Sequence, residues 1–220
     1  MKLFIQTILC ISLLFFFSCK NEPKVDAEGN VQLPTMDKDF EESEYKWGYI
    51  NPKGKLIIDA QFDDARNFKE GMAVIRKKGK WGFINKKGQE VIPTKYKAAW
   101  SFSEGLARVL DFDGKMGFVD KAGKMVIPMA FDMVEDFHEE RARFLEKGRF
   151  GFINKKGEKV IPAMYDQVSN FRNGLAKIKT RGKYGMIDTN GKIIIPTTFE
   201  YLNYFENGLA KARKNGKYGY

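Results

Sequence analysis

A glycine preceded by an aromatic residue or Met recurs through most of this chain at a nearly fixed interval. The pairs are Trp47-Gly48, Trp81-Gly82, Met116-Gly117, Phe150-Gly151, Tyr184-Gly185 and Tyr218-Gly219, spaced 34, 35, 34, 34 and 34 residues apart. A period of this length constrains the fold strongly. One supersecondary unit is copied in tandem, and each copy must bury its apolar face against its neighbours. Other positions keep the register. Phe68, Phe102, Phe137, Phe171 and Phe205 form one column, and Phe62, Tyr96, Phe131, Tyr165 and Phe199 a second. Pro93, Pro128, Pro162 and Pro196 form a third, and Gly54, Gly88, Gly123, Gly157 and Gly191 a fourth. The one extra residue falls within 110–113, ahead of Gly114, where a turn absorbs it.

The unit reads as β structure. Its apolar runs, such as Trp81-Gly82-Phe83-Ile84, Val91-Ile92 and Leu106-Ala107-Arg108-Val109, are too short for stable helices and are bounded by Gly-containing turns. Asn85-Lys86-Lys87-Gly88 and Asn51-Pro52-Lys53-Gly54 suit a type I turn followed by a glycine bulge. The glycine after each aromatic sits within a strand, which marks a bulge or a close backbone approach. The Ile-Pro pair is expected to end a strand, because Pro has no donor for a central ladder. The stretch from Tyr165 to Gly174 is either a short fourth strand or a helical turn. The fold class is therefore all-β, with tandem 34-residue repeats forming a small β-propeller-like ring; an open β-solenoid is the alternative. The short period favours the solenoid, since common propeller blades take about 40–45 residues. The off-phase ends, both on the aromatic-Gly strand, favour the ring.

The approximate unit K-W-G-F-I-N-K-K-G-x-x-V-I-P-x-x-Y-D-x-x-x-x-F-x-E-G-L-A resembles the WG (KWG) repeat family of bacterial proteins over residues 45–220. Met116 departs from the pattern where Trp is usual, and so does Glu140 where Gly is usual. The resemblance implies a β repeat, often on exported proteins, and brings no catalytic residues.

Residues 1–18, MKLFIQTILCISLLFFFS, have the plan of a secretory signal: Lys2, an apolar run too short to span a bilayer comfortably, and small Ser18 before Cys19. Phe16-Phe17-Ser18-Cys19 resembles a relaxed bacterial lipobox, with Phe16 where Leu is usual. The resemblance implies cleavage before Cys19, acylation of its thiol and a membrane anchor on the cell envelope, at the outer membrane or periplasmic side. With Cys10 removed, one modified Cys remains and no disulfide can form. Residues 19–44 form an acidic segment with Pro23 and Pro34, expected to act as a flexible linker. The acidic excess there leaves the repeat region strongly basic within a chain of net charge +10.

The candidate contacts follow from exposure and charge. Trp100 has no aromatic counterpart in other units, so it is a candidate ligand contact. Lys77, Lys78, Lys86, Lys87, Lys155 and Lys156 lie on turns that stacking would align into basic edges, suited to an anionic glycan. His138 stands alone in a polar column, with no neighbouring His or Cys to make a metal site, so neither metal nor cofactor is expected. Asp132 and Asp166 recur after the second aromatic column, but Lys97 and Glu200 share that place, which favours a turn or capping role. No nucleophile elbow, zinc-helix motif or phosphate loop is present. The reading is a binding or scaffolding module with an envelope protein or anionic glycan as partner; nucleic acid is not expected. The alternatives are a passive structural lipoprotein and, last, a carboxylate-dependent hydrolase.

Overall fold

The computed structural model describes residues 45–219, together with the backbone of Lys24–Val25 and Val31–Gln32. The signal segment, Cys19 and the rest of residues 19–44 lie outside the described residues. Within the segment expected to be a flexible linker, Lys24–Val25 pairs antiparallel with Val31–Gln32.

From residue 45 on, the chain is all-β. Four complete sheets follow one another: residues 64–96, 98–131, 133–165 and 167–199. Each is a four-stranded antiparallel meander, the strand order of a propeller blade. In the first of them a two-residue strand, Asp64–Ala65, pairs with Met72–Lys77; that strand pairs with Lys80–Asn85, and that in turn with Glu90–Tyr96. We number the sheets two to five. Sheet one holds only Trp47–Ile50 and Leu56–Phe62, the third and fourth strands of a unit. Sheet six holds Tyr201–Leu202, Ala212–Lys214 and Lys217–Gly219, the first three. Structural sheets are thus out of phase with the sequence repeat, and each combines the end of one copy with the start of the next.

Turn chemistry follows the sequence. Between the third and fourth strands, Gly88 N donates to Asn85 O at 2.9 Å and Asn85 N to Gln89 O at 3.0 Å. The Asn85 Oδ1 also accepts from the backbone N of Lys87 and Gln89. This is the type I turn with a glycine bulge that the sequence predicts. Between the second and third strands, Lys78 and Gly79 both have positive φ, as do Lys147 and Gly148, Arg181 and Gly182, and Asn215 and Gly216. Such two-residue turns match the strand twist. In sheet three the extra residue sits in this turn, as Asp111-Phe112-Asp113-Gly114, closed by Asp111 N on Lys115 O at 2.9 Å.

The aromatic-Gly glycine marks a close backbone approach. Trp81 pairs with Tyr96 and Phe83 with Ile92, so the fourth strand carries two extra residues over that step. They bring its backbone against Gly82, where a Cβ would lie 2.6 Å from Ile92 O and 2.7 Å from Thr94 N. The Ile-Pro pair does not end the strand as expected. Pro93 lies inside Glu90–Tyr96. The irregular pairing at that step and the position at the sheet edge remove the need for its missing donor. The stretch from Tyr165 to Gly174 resolves into the two-residue strand Gln167–Val168 and a tight turn at Asn173-Gly174.

The core lies between sheets. Met72, Ala73, Val74 and Ile75 are all buried, because neighbouring sheets cover both faces of their strand. Phe83 meets Phe102 of the next sheet at 5.1 Å between ring centroids, Phe118 meets Phe137 at 4.9 Å and Phe152 meets Phe171 at 4.8 Å. Edge-to-face and tilted contacts of this kind add to area burial, which for one Phe is worth about 1.5–3 kcal/mol. Beside each ring pair, an Ile of the fourth strand sits on the turn glycine of the following sheet: Ile58 on Gly88, Ile92 on Gly123, Ile127 on Gly157 and Ile161 on Gly191. Among the described residues no strand pairing joins sheet one to sheet six.

Candidate functional site

Antiparallel meandering places the turns at two opposite ends of every sheet. One end carries the turns between second and third strands, and Lys77 and Lys78 lie there. The other carries the remaining turns, with Lys86, Lys87, Lys155 and Lys156. The sequence-predicted lysines therefore form two separate groups.

At the second end, carboxylates bind the array together. The Glu104 side chain accepts from Glu140 N at 2.9 Å and Glu139 N at 2.5 Å in the next sheet. Glu139 accepts in turn from Asn173 N at 2.6 Å and Gly174 N at 2.7 Å, and Glu70 from Gly105 N at 3.0 Å. Each glutamate thus clamps the paired donors of the turn one repeat on. Turn lysines join them: Lys121 reaches Glu70 at 3.2 Å, and Lys155 reaches Glu140 at 2.6 Å and Glu104 at 3.4 Å. The Lys155 hydrogen bond holds the Glu140 carboxyl below its usual range and raises the Lys155 ammonium. Burial works to raise Glu70, but Lys121 and the Gly105 N–H lower it on balance. Lys155 is therefore engaged within the fold, whereas Lys86, Lys87 and Lys156 are exposed.

At the first end the basic residue before each aromatic-Gly pair meets the carboxylate that follows the second aromatic column. Lys46 reaches Asp63 at 2.8 Å, Lys115 reaches Asp132 at 2.5 Å, Lys183 reaches Glu200 at 3.2 Å, and Arg149 pairs with Asp166. Asp166 also accepts from Arg181 N at 2.6 Å, and Glu200 from Gly216 N at 3.2 Å. Each of these carboxylates has its own cation, and Asp63 and Glu200 are held below the usual range chiefly by Lys46 and Lys183. A general acid needs the opposite, a carboxyl kept protonated. Beyond this row, Lys78, Lys147 and Arg181 project from exposed turns, and Phe112 stands 60% exposed among them on the lengthened loop. Lys77 is half-buried, 3.5 Å from Gln61 Oε1.

Trp100 is half-buried, and the Arg108 guanidinium stacks on it 4.1 Å from the ring centroid. Arg108 Nη1 donates to Val134 O of the next sheet at 2.6 Å, and its Nε lies 3.3 Å from Asp136. Arg66 does the same on Ala99 O, and Arg143 on Val168 O, at 2.9 and 2.8 Å. The Trp100 ring thus forms part of a row of guanidinium stitches between sheets. The sequence signal for these stitches was present as basic residues on alternate positions of the second strand, but their inter-sheet targets depend on the stacking. His138 is exposed on a turn, and no cluster of three potential metal ligands exists among the described residues. Two shallow depressions, of about 180 and 150 Å³, lie beside Ser169, Lys177 and Tyr184 and beside Phe131, Phe144 and Lys159. Both fall short of the ~300 Å³ at which small-molecule sites begin.

Fold and surface together define a tandem β-repeat protein whose polar side chains are spent on joining sheets, with basic turns left at the rims. The WG containing repeat family matches residues 47–81, 81–115, 116–149, 150–184 and 184–218, and the chain belongs to that family. No curated protein matches it. Among solved structures, the computationally designed Ika8 protein is 14% identical, with a TM-score of 0.44 over 76% of this chain and 61% of that one. BamB from Moraxella catarrhalis is 12% identical, with a TM-score of 0.39 over 68% and 53%. Hsv2p from Kluyveromyces lactis is 10% identical, with a TM-score of 0.41 over 69% and 56%. The chain thus spans about half to three fifths of the length of these structures.

Proposed function

We propose that this protein is a non-catalytic binding or scaffolding module, held at the bacterial cell envelope by lipid on Cys19, that takes an envelope protein or an anionic glycan along its repeat surface. One observation carries the binding part. The recurring carboxylates at the first end are each tied to a cation, while Lys78, Lys147 and Arg181 project from successive turns into solvent. A row of cations at fixed spacing favours an extended polyanion over a single small ligand. The anchor rests on the Ser18-Cys19 pattern of the sequence alone.

Both parts are testable. Membrane fractionation and intact mass should find the parent chain acylated and membrane-bound and Cys19→Ala released; two soluble, unmodified forms would remove the anchor. Binding to a sulfated or uronic-acid polymer should weaken with salt. It should also fall in a Lys78→Glu, Lys147→Glu, Arg181→Glu triple variant. Binding that ignores both would leave a passive structural lipoprotein as the better reading.

A further inference from the structure

The two ends of the array are incomplete in complementary ways. Sheet one has the third and fourth strands of a unit and no second strand beside Trp47–Ile50. Sheet six has the first three and no fourth strand beside Lys217–Gly219. The packing residues show the same complement. In sheets two to five the position three after the aromatic, occupied by Ile84, Val119, Ile153 and Ile187, is at most 1% exposed. It is covered by the preceding sheet and by its own second strand, as Ile84 is by Ile58, Phe62, Ala73 and Ile75. In sheet one the equivalent Ile50 is 66% exposed. At the other end Leu209 is 63% exposed, where its counterparts Met72 and Leu106 are 7% and 8%.

The Ile-on-Gly contact makes the match specific. Four times within this chain an Ile of the fourth strand sits on the turn glycine of the following sheet. Gly54, the first such glycine, has nothing within 4 Å of its would-be Cβ. Ile195, the last such Ile, remains partly exposed. We propose that the hairpin Lys46–Phe62 of one copy docks on the last sheet of a second copy, with Gly54 over Ile195, and completes that sheet end to end. It does not rest on the function proposed above.

The docked hairpin reproduces an interface the protein already forms internally. Its strand Trp47–Ile50 would pair with Ala212–Lys214 of the second copy, in the place now taken by Lys217–Gly219. That occupant has the same Lys-aromatic-Gly motif, Lys217-Tyr218-Gly219 against Lys46-Trp47-Gly48, but its three strand residues are all exposed and no fourth strand follows them. Exchange therefore replaces a marginal strand by the same motif with its fourth strand attached. Ile50 then meets Ile195, Phe199, Ala210 and Ala212, and Tyr49 and Ile58 cover Leu209. The contact is heterologous, since each copy offers a different surface.

Sedimentation of the purified full chain across a concentration series should show reversible association. Ile50→Lys and Leu209→Lys, both at exposed positions, should each raise the dissociation constant at least tenfold. A heterologous contact makes a further demand: an equimolar mixture of the two variants must form a dimer and nothing larger, because each keeps one intact end. Three outcomes would overturn the proposal. One is a parent that stays monomeric throughout. Another is association that survives both substitutions, which would place it in the shared leading segment. The last is a mixture of variants that fails to dimerise while the parent does.

Discussion

Replacing Gly82 by Ala tests whether the repeat's signature glycine is there for backbone approach. A Cβ at residue 82 would stand 2.6 Å from Ile92 O, 2.7 Å from Thr94 N and 2.8 Å from Pro93 C. All three are backbone atoms, so no rotamer change relieves them. The fourth strand must move by roughly 0.6–0.8 Å to restore ordinary contact, and overpacking of this kind costs about 3 kcal/mol, the upper end of the usual range. For an array of this size that corresponds to a fall in Tm of roughly 6–12 °C. The protein supplies its own control. Gly219 occupies the same place in sheet six, where no fourth strand is present, and nothing lies within 4 Å of its would-be Cβ. Gly219→Ala should leave Tm unchanged or slightly raised, since Ala suits a strand better than Gly. Thermal unfolding followed by circular dichroism on both variants decides the matter. If Gly82→Ala melts within 2 °C of the parent, or Gly219→Ala falls as far, close approach is not the reason for the glycine.

Glu140 holds a φ of +65° where the other complete sheets have Gly71, Gly105 and Gly174. Glu140→Gly should therefore raise stability by about 1 kcal/mol, less the small value of an exposed ion pair with Lys155, as read by urea midpoint. Glu104→Ala should accelerate hydrogen exchange at the Glu139 and Glu140 amides it clamps and leave the Asn173 and Gly174 amides, held by Glu139, protected. Acid should weaken the fold. Asp63, Glu70, Glu140 and Glu200 titrate lower when folded, so their contribution is complete above the unfolded carboxylate range near pH ~4 and is lost as pH falls through the folded values. Urea midpoints should be level from neutral pH down to that range and drop below it; a midpoint that climbs on acidification would refute the assignment.

How much of this was legible in the sequence depends on the range of the interaction. The type I turn at Asn85-Lys86-Lys87-Gly88 and the lengthened loop before Gly114 are local, and four residues specify each. The strand order within a sheet was legible too, because short turns leave antiparallel neighbours no other arrangement. The Ile-Pro pair misled for a physical reason. Proline ends a strand only where a ladder donor is needed, and the two extra residues opposite Gly82 remove that need. The site was the least legible part. The glutamates before the turn glycines were visible as a recurring feature, yet their partners lie 34 to 36 residues away and become neighbours only when sheets stack. Trp100 was singled out for being unlike its counterparts, and Arg108 from its own sheet now covers it.

The same period explains why function resists reading while fold does not. A residue repeated in every copy is under the demand common to all copies, which is contact with the next sheet. The aromatic columns, the Ile-on-Gly contacts, the glutamate clamps and the guanidinium stitches all meet that demand. A partner, in contrast, is met by what the copies do not share. In the complete sheets those departures gather in sheet three and at its borders: Lys97 where others carry a carboxylate, the extra residue before Gly114, exposed Phe112 and the Trp100–Arg108 stack. Substituting Phe112→Ser should leave Tm within about 1 °C, because a ring 60% exposed contributes little to the core. A loss of envelope-component capture by that variant would locate the recognition surface on the lengthened loop, whereas unchanged capture would move the search to the opposite rim, where Lys86, Lys87 and Lys156 are exposed.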